Sequence, residues 1–368
     1  MKPAPQSAAT LDNLTLARKE GFRCFAEAEK PKRPDMLTLA ELRALSTKAR
    51  AAYDKRRREW HANLGPIRTP QLDAVHSELW SILDSNLQYG DKPKGAVAVE
   101  AAAGLGKTTA TLTFARDFHR REIDANGRET SLGDERWPVC RIGMTGRTTF
   151  REFNRSILYF YGHPGTQTGN ASAFAHRALD TMIACSTKVL LIDDFHFLDF
   201  HSTDGRQISN HIKFIENEFP MTLIVVGIGL SEKGLYTTFN TTTASEVAQT
   251  ARRTTTLSMR GFSVDNLHSR REWRSLLKSF EKYLVLCEMR PGMLAEAMPD
   301  YLFWRTSGHI GSLTTLLSRG CGRAMRTRAE VLTTEILDHV RIDEAAELQA
   351  HALREQFRTG KLSTRVAK

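Results

Sequence analysis

The sequence contains no apolar run approaching the ~20 residues that a bilayer-spanning helix requires. Its longest, from Met221 to Leu230, reads as a buried strand. The opening residues Met1-Lys-Pro-Ala-Pro-Gln lack the apolar centre of a secretory leader, so the expected location is cytoplasmic. Cysteine is sparse: Cys24, Cys140, Cys185, Cys287 and Cys321 are scattered, odd in number and without a Cys-x-x-Cys pair. That spacing excludes both a structural zinc site and a disulfide framework. The twelve histidines are dispersed, and no Ser-His-Asp arrangement points to nucleophilic catalysis. No internal repeat is visible.

What is present suits a soluble globular chain. Hydrophobic residues make up 41% and charged residues 26% of 368 residues, enough for more than one domain. The formal net charge of +10 favours polyanionic partners, but no single basic block dominates.

Residues 1–35 are Ala/Pro/Lys-rich and read as a loosely held arm. Leu39, Leu42 and Leu45 begin a helical pattern that continues to about Asn63 with a basic face, Lys55-Arg56-Arg57-Arg58. Thr69 then reads as an N-cap with Pro70 at the first helical position, starting a helix to about Leu87. From Ala96 to Met259 strands and helices alternate, with strands at 96–100, 139–144, 189–192, 221–227 and 254–259. Intervening helices are expected at 108–121, 149–161, 171–184, 208–219 and 244–253. This alternation implies an α/β fold with a five-stranded, mainly parallel sheet covered on both faces. After Gly261 the strands stop, and helical patterns at 266–286, 292–306, 310–326 and 333–357 imply an all-α domain. The expected division is an arm and basic helix (1–62), an α/β nucleotide-binding domain (63–263), an α-helical lid (264–345) and a helical, basic tail (346–368).

The chemistry concentrates in Ala101-Ala102-Ala103-Gly104-Leu105-Gly106-Lys107-Thr108, followed by Thr109. It follows a predicted strand and opens a predicted helix, the context of a phosphate-binding P-loop. Gly104 and Gly106 would let backbone N–H groups turn toward phosphate oxygens, helped by the helix N-terminus. Lys107 would reach the β- and γ-phosphates of ATP, and the Thr108 hydroxyl would ligate Mg²⁺. Ala101 stands where the motif has its first glycine.

About 85 residues later, Val189-Leu190-Leu191-Ile192-Asp193-Asp194 has the form of a Walker B strand. Four aliphatics push paired carboxylates out at the carboxyl edge of the sheet, where nucleotide would lie. Asp193 would bind the Mg²⁺ shell and Asp194 would polarise the attacking water. The shorter Asp, where many such proteins carry Glu, predicts slow hydrolysis. Each motif alone has a bland reading, a glycine-rich turn or a solvated strand end; together they point to MgATP. His196 reads as a packing residue, and Phe150, Phe153, Tyr159, Phe160 and Tyr161 as core.

With these motifs in place, the chain resembles AAA+ P-loop ATPases, and within them the TniB family of ATP-dependent target-selection proteins of transposons. The resemblance covers roughly residues 60–345. It rests on Ile67-Arg68-Thr69-Pro70, on Arg147 to Gly165, on Val225-Val226-Gly227, on Ala251-Arg252-Arg253 and on Thr306-Ser307-Gly308-His309-Ile310-Gly311-Ser312-Leu313. It implies that Ile67 packs by the adenine. Nucleotide would sit between subunits of a ring or helical homo-oligomer, with Arg252 or Arg253 reaching the γ-phosphate held by the next subunit. Double-stranded DNA, a DDE transposase and a target-selector protein are the implied partners. Arg147, Thr148 and Arg151 are the candidate phosphate contacts on DNA, with Lys55–Arg58 as a second cluster whose other reading is a solvated face. Two departures bear on turnover: Gly227-Ile228-Gly229 replaces a polar sensor, and Ser312 stands where many AAA+ lids carry an arginine. The rival readings are a nucleotide-gated signalling or defence switch that binds a protein, and an initiator- or clamp-loader-type ATPase. The latter would bring a DNA-reading domain for which the residues after Arg326 are too few.

Overall fold

The computed structural model describes residues 15–29, 31–88, 92, 94–146, 148–198, 202–219, 221–230 and 254–366. The chain forms two compact units. The first comprises Met1–Glu29, Gln71–Ala103 and Lys107–Met259; the second comprises Lys30–Pro70, Gly104–Gly106 and Arg260–Lys368.

The first unit is built on five strands, β1 (Ala96–Ala101), β2 (Val139–Gly143), β3 (Val189–Asp193), β4 (Thr222–Gly227) and β5 (Thr254–Met259). Their order across the sheet is β2-β3-β4-β1-β5, and every pairing is parallel. Parallel strands need crossover helices, which cover both faces and make each central strand apolar throughout. Accordingly β3 and β4 are buried along their whole lengths. The helices are α1 (Lys19–Glu27), α4 (Pro70–Ser85), α5 (Lys107–Asn126), α6 (Phe150–Tyr161), α7 (Ala171–Ala184) and α8 (Thr203–Glu218). Their ends follow capping chemistry: Thr149 accepts from the Glu152 N–H, Asn170 accepts from the Ala173 N–H, and Gly162 closes α6 in a left-handed conformation.

Residues 15–29 depart from the loose arm expected of them. α1 buries Phe22 and Ala26 completely, one turn apart on one face. Lys19 and Arg23 pair with Glu135, and Arg120 of α5 donates to the Ala28 carbonyl at 2.8 Å. The apolar signal spans only two turns, too short to stand out from composition.

The second unit is helical: α2 (Leu39–Ala44), α3 (Thr47–Ala62), α9 (Leu267–Tyr283), α10 (Pro299–Thr306), α11 (Ile310–Arg326), α12 (Thr334–Asp338) and α13 (Glu344–Arg358). Its core gathers Leu64, Ile67, Trp273, Leu277, Phe280, Leu313 and Leu317. Three expected helices are shorter or broken here, each for a local reason. Ser46 caps α3 by accepting from the Ala49 N–H, so the 38–63 pattern is two helices. Asp343 caps α13 in the same way, splitting the 333–357 pattern. Between Gly292 and Ala295 the Glu281 carboxylate accepts three backbone N–H groups at 2.8–2.9 Å, and helix resumes only at Pro299. The expected helix at 244–253 lies outside the described residues.

Candidate functional site

The P-loop follows β1 as its sequence predicts. Ala101 ends the strand in register with Met259 of β5, and Lys107 opens α5. Gly104 (φ +74°) and Gly106 (φ +84°) both adopt the left-handed region. Side-chain-bearing residues pay about 1–2 kcal/mol there, which accounts for glycine at both positions. Ala101 is 4% exposed, so a methyl group is accommodated where the motif has glycine. The Lys107 ammonium has no carboxylate partner among the described residues, leaving it available to an anion.

Across the sheet edge, β3 delivers Asp193, whose side chain is 3% exposed. Burying a carboxylate requires partners for its oxygens. Oδ1 accepts from the Asp194 N–H at 3.0 Å and from the Thr108 hydroxyl at 3.4 Å. Oδ2 accepts from the Arg141 guanidinium at 2.8 Å. A hydroxyl and a carboxylate thus converge from α5 and β3. Small hard divalent cations take one or two protein oxygens of this kind and complete their shell with water and phosphate, so the donor set fits Mg²⁺.

Asp194 follows in a left-handed conformation (φ +56°, ψ 32°). Aspartate tolerates this better than most residues, yet the geometry is strained, as is common where a side chain must be aimed. Its carboxylate has no hydrogen-bond partner among the described residues, while its backbone N–H is bonded to Asp193. Gly227 ends β4 in register with Glu100, and no polar sensor stands there. A Cβ at that position would meet Leu230 at 2.4 Å and the backbone nitrogen of His196 at 3.1 Å. A larger residue there would require the Leu230 side chain to move aside and the turn after Asp194 to give by a few tenths of an ångström.

In the helical unit, Gly104–Gly106 pack with the residues that open α11: the Gly311 N–H donates to the Gly104 carbonyl at 2.9 Å. Ser312 is turned to structural use, donating to Asp343 at 2.6 Å, and Arg319 donates to the Arg341 carbonyl. Ile67 is a core residue of this unit, 4% exposed.

The candidate DNA contacts fare unevenly. Thr148 bonds with Thr145, and the Arg151 guanidinium lies over the Phe174 ring at 5.2 Å. Arg147, Arg252 and Arg253 lie outside the described residues. The basic cluster on α3 needs correction: Lys55, Arg56 and Arg58 are exposed, but Arg57 is fully buried and paired with Glu330 and Asp54. Helical periodicity turns Arg57 inward with Tyr53 and His61.

Arg141 is the site residue that sequence reasoning missed. A basic residue inside the apolar strand Val139-Cys-Arg-Ile-Gly was the available signal, since arginine in a doubly covered strand demands a partner.

Comparison with known proteins agrees with this geometry. The family model described as bacterial TniB protein matches residues 67–244, just under half of the chain. Over those residues the chain is similar to the TniB family. No curated protein matches it. Among solved structures, the Aeropyrum pernix ORC1 protein in complex with DNA superposes with a TM-score of 0.55 at 16% identity, covering 83% of this chain and 71% of that one. The Aeropyrum pernix ORC2 protein in its ADPNP–ADP complexes gives 0.55 at 13%, covering 79% and 74%. Cdc6p from Pyrobaculum aerophilum gives 0.54 at 14%, covering 76% and 68%. At such identities the likeness is one of fold, and the fold is that of the AAA+ P-loop proteins.

Proposed function

We propose that the protein is an ATP-binding regulator of DNA transposition. It oligomerises on double-stranded DNA with ATP and recruits or activates a DDE transposase, and hydrolysis dissolves the assembly. The observation that carries the nucleotide part is the convergence of Thr108 and Asp193 beside a loop with two left-handed glycines. In this reading the loop amides and Lys107 hold the phosphates, and Thr108 and Asp193 hold Mg²⁺. The metal would neutralise charge on the β- and γ-phosphates. Asp194 accepts a proton from the attacking water, and Arg252 or Arg253 supplies positive charge from a neighbouring subunit. The TniB match supports the transposition part, and the net charge of +10 supports a polyanionic partner.

The test is direct. Full-length protein should retain a labelled ATP analogue, and Lys107→Ala should abolish retention; DNA should stimulate phosphate release, and negative-stain images should show ATP-dependent filaments on duplex. Protein that binds nucleotide but neither DNA nor itself would instead be a nucleotide-gated switch for a protein partner.

A further inference from the structure

We propose that Arg141 is the resident counter-ion of Asp193: its guanidinium neutralises the buried carboxylate until a divalent cation takes its place. This rests on reading Asp193 as a metal ligand.

The strand register makes the pairing possible. Arg141 of β2 lies opposite Leu191 of β3, two residues before Asp193, so both side chains leave the same face of the sheet. The arginine stem spans the remaining ~6–7 Å along the strand direction, and the guanidinium meets Oδ2 at 2.8 Å. The side chains are 17% and 3% exposed. At that depth a carboxylate without a nearby cation is strongly disfavoured.

Arg141 differs from the other deeply placed arginines in what else it holds. Arg305 donates to the carbonyls of Leu337 and Val340 and also reaches Glu347. Arg57 reaches Glu330, Asp54 and the Val285 carbonyl. Those guanidiniums tie several segments together. Among the described residues Arg141 has one bonded partner, Asp193, and its buried Nε has none. An arginine held by a single carboxylate is exchangeable in a way that a networked one is not. Asp193, for its part, takes only neutral donors besides Arg141. Among the described residues one positive charge is bonded to it, and a divalent cation on the Thr108 side supplies the same charge in greater measure. Close cations repel, so arrival of the metal weakens the hold on the guanidinium and lets it leave. Arg141 is a positioning residue in this scheme, acting through Asp193 and not on phosphate.

Mn²⁺ standing in for Mg²⁺ reads the exchange without turnover. With saturating ADP, Mn²⁺ affinity measured by electron paramagnetic resonance should rise about tenfold or more in Arg141→Met, since no cation then competes. Arg141→Lys, which keeps the charge, should stay near wild type. In thermal melts Arg141→Met should fall below wild type in EDTA, and the gap should close with Mn²⁺ and ADP. If Arg141→Met does not fold, Arg141→Gln carries the same test, because it keeps a donor for the carboxylate and loses only the charge. Unchanged or weaker Mn²⁺ affinity in the neutral variants, or a melting gap that persists in metal, would overturn the proposal and leave Arg141 as a structural partner. Wild-type protein that binds no Mn²⁺ with ADP would instead remove the nucleotide-site reading itself.

Discussion

Asp194 joins two facts that a general base needs: a backbone held in an uncommon conformation and a carboxylate with no hydrogen-bond partner among the described residues. Asparagine tolerates the left-handed region as well as aspartate does, so Asp194→Asn should fold normally. It should bind ATP as wild type does and lose hydrolysis by roughly 10²–10⁴-fold, the usual contribution of a positioned proton acceptor. A phosphate-release assay beside a nucleotide-binding titration separates these outcomes; a parallel loss of binding would mean that Asp194 serves the fold. At this scale most of the candidate site was legible. The glycines, Lys107, Thr108 and the two aspartates are local signals, fixed by what a strand-to-helix turn can do with phosphate. Arg141 was not, because its meaning depends on a neighbouring strand 52 residues away.

Helix ends show where periodicity stops informing. The limits of α7, β5 and α11 coincide with the sequence expectation, since apolar spacing and breakers agree there. The breaks at Ser46 and Asp343 were overlooked because an apolar stripe continues through them, while one side-chain oxygen restarts the helix. The inward turn of α3 carries two predictions. Arg57 reaches Glu330, itself fully buried in a left-handed turn, and Arg57→Ala would leave that carboxylate without its main cation. Unfolding in urea should show a loss of about 3–5 kcal/mol. A loss under 1 kcal/mol would mean that water or Arg50 replaces it.

One turn further along α3, burial pushes the His61 imidazole down to about 4, and its Nε2 accepts the Val285 N–H at 3.0 Å. The folded value lies below the usual 6.5 or so, so the unfolded chain binds the proton first as pH drops. The stabilisation is complete above about pH 6.5 and is lost as pH falls toward 4. Between pH 7.5 and 5 the loss is about 2 kcal/mol from this group. His119 and His211 are lowered by burial in the same sense. Urea unfolding at the two pH values checks it, and His61→Gln, which keeps an acceptor, should remove this group's share and leave that of His119 and His211.

Across the whole molecule the charge is unevenly shared. By sequence the sheet-bearing unit holds 23 Lys and Arg against 25 Asp and Glu, while the helical unit holds 29 against 17. The excess that gives the chain its +10 therefore belongs entirely to the helical unit. If duplex DNA is the partner, exposed arginines of the helical unit should contribute through phosphates without reading sequence. Arg56→Ala with Arg58→Ala should weaken binding to any duplex and reduce the salt slope by up to about 2, close to one per phosphate contact. An unchanged slope would move the contact surface to the sheet-bearing unit and to Arg151. The strand order could not be read from the chain, since placing β4 between β3 and β1 depends on crossovers that local pattern does not encode. Its parallel character could be read, because strand and helix alternate.

The bare end of β4 sets a limit on how this protein could be redesigned. Any side chain larger than hydrogen at Gly227 would have to displace the Leu230 side chain and press on the His196 backbone. The same turn carries Asp194, so a sensor grafted at position 227 would also press on the backbone that aims the proposed base. A variant meant to carry an added polar group there would have to take it from Ile228 or beyond, outside the crowded end of the strand.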